Sequence, residues 1–155
     1  MNAKTQLSLF GQVSELTLSY FPKTRPSDRK EISCSRDAFE IFSEKWNAIE
    51  HHESFKVLTL NKANKVLGIA VISQGGVDST VVDPKIVLQY ALLCNASNII
   101  LAHNHPSGRL FPSDSDIRLT DKIRKAAEFL DMKVLDHLII SSEDRYYSFA
   151  DEGKL

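Results

Sequence analysis

The run Asn98-Ile-Ile-Leu-Ala102 is short and apolar on both faces, so it reads as a central strand buried from both sides. A strand of that kind needs a covering layer above and below, which within one domain means helices on both faces of a sheet. The rest of the chain supplies them. Ala38, Phe39, Phe42, Trp46 and Ile49 recur at helical spacing, which predicts a helix from about Ser35, read as its N-cap, to Ile49. Pro84 opens a second helix running through Cys94, proline being tolerated in a first turn. A third spans Asp114 to Leu130. Phe55 to Asn61 and Val66 to Ser73 read as two strands around a hairpin turn at Lys62-Ala-Asn-Lys65, and Lys133 to Ile140 and Tyr146 to Phe149 read as two more. This order predicts an α/β chain, a mixed sheet flanked by helices. Upstream, residues 1–12 read as a loose tail, Val13 to Tyr20 as an edge strand and Pro22 to Glu31 as a connector. Residues 1–32 are therefore set apart from a domain at 33–155.

Strand Asn98–Ala102 runs directly into His103-Asn-His105-Pro-Ser-Gly108, and Ser113-Asp-Ser-Asp116 follows. Ligand sites in open α/β sheets favour the carboxyl ends of strands. Residues i and i+2 of an extended segment point to the same side, so His103 and His105 can face one ion while Asn104 points away. Two loop histidines without a ligand carry the same pattern, so the pair alone does not decide. Asp116 adds to it. At about 100° per residue it shares a helix face with Thr120, Ile123, Ala127 and Leu130, whereas Asp114 projects elsewhere. An inward carboxylate is costly unless it is paired or bound to a cation. Ser113 with Asp116 also matches a capping box, and a serine there can both cap the helix and offer its hydroxyl to the site. Two imidazoles and one carboxylate suit zinc, and three protein ligands leave a fourth position for water, as in catalytic sites. The chemistry indicated is metal-assisted hydrolysis.

Other features narrow the reading. A chain of 155 residues is long enough for one sizeable core. Its net charge of -1 and pI near 6.5 show no basic excess, which argues against strong nonspecific binding of nucleic acid. Cys34 and Cys94 lack C-x-x-C spacing, so neither a disulfide framework nor a thiolate metal site is indicated. Met1 to Gly11 lacks the pattern of a signal peptide and no apolar run reaches about 18 residues, so no membrane association is expected and cytoplasm is the default. His51 and His52, beside Glu50, read as an exposed turn. His137, in an apolar strand, reads as a hydrogen-bonded core histidine.

The spacing His103-x-His105-Pro-x-Gly108-x-x-x-x-Ser113-x-x-Asp116 resembles the JAMM motif of JAB/MPN metallohydrolases. Ile-Leu-Ala-His-Asn-His-Pro-Ser-Gly, Leu135-Asp-His-Leu-Ile-Ile140 and Tyr147-Ser-Phe-Ala are similar to the bacterial RadC branch, over roughly Ser33 to the C-terminus. The resemblance implies the JAB/MPN fold, a cytidine-deaminase-like three-layer sandwich. It further implies Zn2+ on His103, His105 and Asp116, an upstream glutamate that activates water, and a serine, Ser113, that supports the tetrahedral intermediate. The family's Glu-x-Phe leading into a strand falls on Glu53, with Glu50 as its neighbouring rival.

Two positions depart from the pattern. RadC chains often carry an N-terminal helix-hairpin-helix region linked with DNA binding, which this sequence lacks, so contact with nucleic acid is expected to be weak or indirect. The family's proline-arginine is Pro84-Lys85 here, which keeps the charge but not bidentate binding. The expectation is a zinc metallopeptidase or isopeptidase acting on a peptide, isopeptide or other amide, which a protein partner presents. The family's name attaches it to DNA repair. The alternative is a catalytically silent scaffold or accessory module. A deaminase on the related fold would want H-x-E with P-C-x-x-C, and neither pattern is present.

Overall fold

Two strands of this chain are buried along their whole length, and they lie side by side. In the computed structural model, which describes residues 14, 16–17, 19–47, 49–75 and 81–155, β1 (Ser54–Leu60) pairs antiparallel with β3 (Asn98–Asn104) at the centre of a five-stranded sheet. β2 (Val66–Gln74) pairs antiparallel with β1 at one edge. On the other side β4 (Lys133–Ile140) runs parallel to β3, and β5 (Tyr146–Ser148) closes the order β2-β1-β3-β4-β5. The sheet is mixed, as the order of elements predicts.

Alternation along the strands divides the core into two layers. Leu58, Leu60, Ile100, Ala102, Leu138 and Ile140 face α1 (Ser35–Glu44), meeting Ala38, Phe39 and Phe42. Phe55, Val57, Ile99 and Leu101 face α2 (Pro84–Leu93) at Val87 and Ala91, and α3 (Asp114–Phe129) at Ile123 and Ala127. The α3 helix is also the crossover between parallel strands β3 and β4, a connection that needs a dozen or more residues. Its first turn therefore sits beside the carboxyl end of β3.

Two details of α1 differ from the sequence expectation. Its N-cap is Cys34, not Ser35, because Asp37 Oδ2 reaches back to the N–H groups of Ser33 and Cys34. Ser35 Oγ instead donates to Asp151. The helix also ends at Glu44, short of Ile49. Lys56 of β1 places its ammonium over the Trp46 ring, 4.3 Å from its centroid, and donates to the Lys45 carbonyl. That cation satisfies one of the orphan carbonyls at the helix end. Trp46 remains buried beyond the helix, so its place in the apolar period reflects the core alone.

Residues 1–12 lie outside the described residues, as do 13, 15 and 18 of the expected Val13 to Tyr20 strand, whose described positions are not in a strand. Among the described residues no helix is long and apolar enough to cross a membrane.

Candidate metal centre

The alternation that sends Ile99 and Leu101 toward α2 and α3 carries His103 to the same side, opposite Phe55 of β1 and Ile139 of β4. Its side chain is 2% exposed. His105 lies just past the strand but still donates its N–H to the Ile140 carbonyl at 3.3 Å, which keeps it in phase with His103. The chain then turns, with Gly108 donating to the His105 carbonyl at a φ of 75° that favours glycine. The third group comes from α3. Asp116 Oδ2 accepts from the Ser113 N–H at 2.7 Å and from Ser113 Oγ at 2.6 Å, while Asp116 N–H donates to Ser113 Oγ at 3.2 Å. This capping box leaves Oδ1 3.4 Å from His103 Nε2. Asp114, in the same turn, is exposed.

The three donor atoms lie within 4.8 Å of one another. His103 Nε2 and His105 Nε2 are 2.9 Å apart, and Asp116 Oδ2 is 3.8 Å from His105 Nε2. His105 Nδ1 is 2.6 Å from the Arg109 carbonyl, an oxygen that can only accept, so a proton sits on Nδ1, and in the neutral ring Nε2 carries the lone pair. Burial pushes His103 down to about 4, with Asp116 opposing and His105 reinforcing the shift, so the ring is neutral at neutral pH. Tetrahedral zinc with bonds of about 2.0–2.1 Å separates its ligands by roughly 3.3 Å, close to the spacings found here. The donor set fits such an ion.

Glu53 reaches the same cleft from the opposite strand. It immediately precedes β1, is half-buried, and shares the cleft wall with all three donor residues and Ser113. Glu50 is exposed on the preceding turn and is not part of that wall. Asn104 explains the placement. It points away from the histidines, fully buried, and its Nδ2 donates to the carbonyls of Ile49 at 2.6 Å and His52 at 2.8 Å. Its Oδ1 accepts from the Ser54 N–H at 2.8 Å. One side chain thus clamps the turn that delivers Glu53. Sequence reasoning assigned Asn104 no role; the available signal was a polar residue within a strand buried on both faces, which must find partners.

Ser113 is beside the cleft, yet its one hydroxyl proton is directed to Asp116 Oδ2, so in this arrangement it orients a donor residue. His51 and His52 are exposed, away from the cleft. Behind His103, His137 Nε2 lies 2.8 Å from His103 Nδ1. His137 is wholly buried and is held well below the ordinary histidine value, by burial first and then by His103 and His105.

Comparison with known proteins yields a consistent picture. A family model described as the RadC-like JAB domain matches residues 32–154. A UPF0758 protein of Flavobacterium johnsoniae is 49% identical over 124 residues, covering 80% of this chain and 53% of the relative. UPF0758 proteins of Porphyromonas gingivalis and Aquifex aeolicus are 41% and 40% identical, covering 86% and 82% of this chain and 59% and 54% of their own lengths. The chain spans about half the length of the curated relatives it matches, and their shared name states no activity.

Proposed function

The chain belongs to the RadC-like JAB domain family, and from that premise we propose that it is a zinc-dependent hydrolase cleaving an amide or isopeptide bond. The observation that carries the reading is the convergence of His103, His105 and Asp116 within 4.8 Å, on a cleft whose wall also holds Glu53. Zinc bound by those three residues supplies Lewis-acid polarisation of the scissile carbonyl and an acidified water. The remaining work falls to the protein. Glu53 takes a proton from the attacking water onto its carboxylate and returns it to the departing nitrogen. His105 keeps its Nε2 available by donating its Nδ1–H to the Arg109 backbone carbonyl. Ser113 holds Asp116, and becomes an oxyanion donor only when its hydroxyl leaves Asp116 Oδ2.

The substrate is a peptide, an isopeptide-linked conjugate or another amide, presented by a protein partner in the cytoplasm. Nucleic acid contributes weakly or indirectly, consistent with a net charge of -1. Metal analysis of the purified protein, followed by turnover measurements on peptide and isopeptide libraries, tests the reading. Zinc near one equivalent with cleavage abolished in Glu53→Gln supports it. Zinc without turnover on any amide class moves the silent scaffold ahead.

A further inference from the structure

Two buried polar side chains behind the candidate centre take no part in the chemistry above. His137 is packed between Phe149, stacked at 4.9 Å, and Phe55, edge-on at 5.4 Å. Thr120 of α3 is 2% exposed. Its Oγ1 lies 2.6 Å from the Asp116 backbone carbonyl and 2.6 Å from His137 Nδ1.

The protons of this chain can be placed by elimination. A carbonyl oxygen has no proton to give, and two bare oxygens at 2.6 Å would repel, so the Thr120 hydroxyl donates to Asp116. That hydroxyl has one proton. Toward His137 it must therefore accept, which puts a hydrogen on His137 Nδ1. The ring's hydrogen bonds go only to the neutral groups Thr120 and His103, and an imidazolium buried without a counter-charge would be costly, so His137 carries no second proton. His137 Nε2 is then a lone pair, and at 2.8 Å it accepts from His103 Nδ1. With its proton on Nδ1, a neutral His103 turns a bare Nε2 toward His105 Nε2 at 2.9 Å and Asp116 Oδ1 at 3.4 Å; lone pairs this close also repel, and a cation placed among them removes the conflict.

We propose that Thr120 and His137 are positioning residues, a relay that holds His103 in the tautomer whose Nε2 is free to bind a cation. Metal-binding histidines commonly donate their second ring N–H to a carboxylate, a carbonyl or water. Here a second histidine takes that place. The relay ends on the backbone of Asp116, so two of the three donor residues are joined through the core as well as across the cleft. The consequence for zinc rests on the hydrolase reading; the tautomer does not.

Ring nitrogen-15 shifts of the metal-free protein read the tautomers directly. The wild type is expected to show His103, His137 and His105 each protonated at Nδ1. Thr120→Val keeps the shape and removes the acceptor. His137 then moves its proton to Nε2 and donates to His103, which moves its own proton to Nε2. Zinc affinity by competition with a chelator should fall about 10–100-fold in Thr120→Val, the range for loss of a supporting partner, and recover in Thr120→Ser. A merely structural threonine would not move the tautomers. His103 protonated at Nε2 in the wild type overturns the proposal without any variant, as do unchanged tautomers and zinc affinity in a folded Thr120→Val. A wild type that binds no zinc, yet keeps His103 protonated at Nδ1, overturns the hydrolase reading and supports the relay.

Discussion

Asn104 holds Ser54 through a 2.8 Å bond from the Ser54 N–H to its side-chain oxygen, joining the residue between the two histidines to the residue after Glu53. With its bonds to Ile49 and His52, it makes the turn before β1 depend on β3. Asn104→Ala strands buried backbone groups and should cost at least about 2 kcal/mol in urea unfolding. Zinc content should persist, because Asn104 faces away from the donors, while turnover falls. Loss of zinc with unchanged stability would contradict this division of roles.

Glu53→Gln keeps the shape of the side chain and removes the base. Zinc content and fold should be retained while kcat drops by about 10²–10⁴-fold. If the variant loses zinc or keeps full activity on a verified substrate, the assignment is wrong, and Glu50 is the next residue to test.

The capping box makes a separate prediction about metal. Asp116→Asn should lose zinc. Ser113→Ala should cost about 1 kcal/mol of stability through the lost cap and also weaken zinc binding, because Asp116 Oδ2 loses a donor. Equal zinc affinity in wild type and Ser113→Ala would show that the cap does not orient the carboxylate.

The two buried histidines give the metal-free fold a defined acid sensitivity. Both protonate less readily folded than unfolded, where the ordinary value is 6.5. The unfolded chain therefore takes up more protons as pH falls below that value. The stability conferred by the neutral rings is complete above 6.5 and is lost as pH falls, toward about 4 for His103. Asp136, pushed up by burial, acts in the opposite sense. Unfolding free energies from urea titrations in chelator should fall on the order of 1.4 kcal/mol per pH unit for each histidine in this window. His137→Gln should reduce the slope; an unchanged slope would remove His137 from the account.

Local patterns explain what was legible in the sequence. The burial of β3, the shared side of His103 and His105, and the inward phase of Asp116 follow from periods of two and of 3.6 residues, which need no knowledge of distant partners. What escaped depends on distant contacts. The carbonyl at the end of α1 is satisfied by Lys56, which arrives from the next strand. The grip of Asn104 spans 50 to 55 residues, and His103 meets His137 across 34. Such pairings are decided by strand order, which periodicity does not encode.

The cleft wall between His105 and Ser113 contributes no donor side chain. His103 stands on β3 and His105 is paired to β4, Asp116 stands on α3, and the intervening loop is pinned near its ends by Arg109 and by the helix cap. Phe111, in the part between those pins, is 70% exposed and lines the same cleft. Under the hydrolase reading the loop is an interchangeable part: replacing residues 110–112 should change which substrate shapes are cleaved while zinc content stays at the wild-type level, and loss of zinc in such a loop variant would contradict that independence.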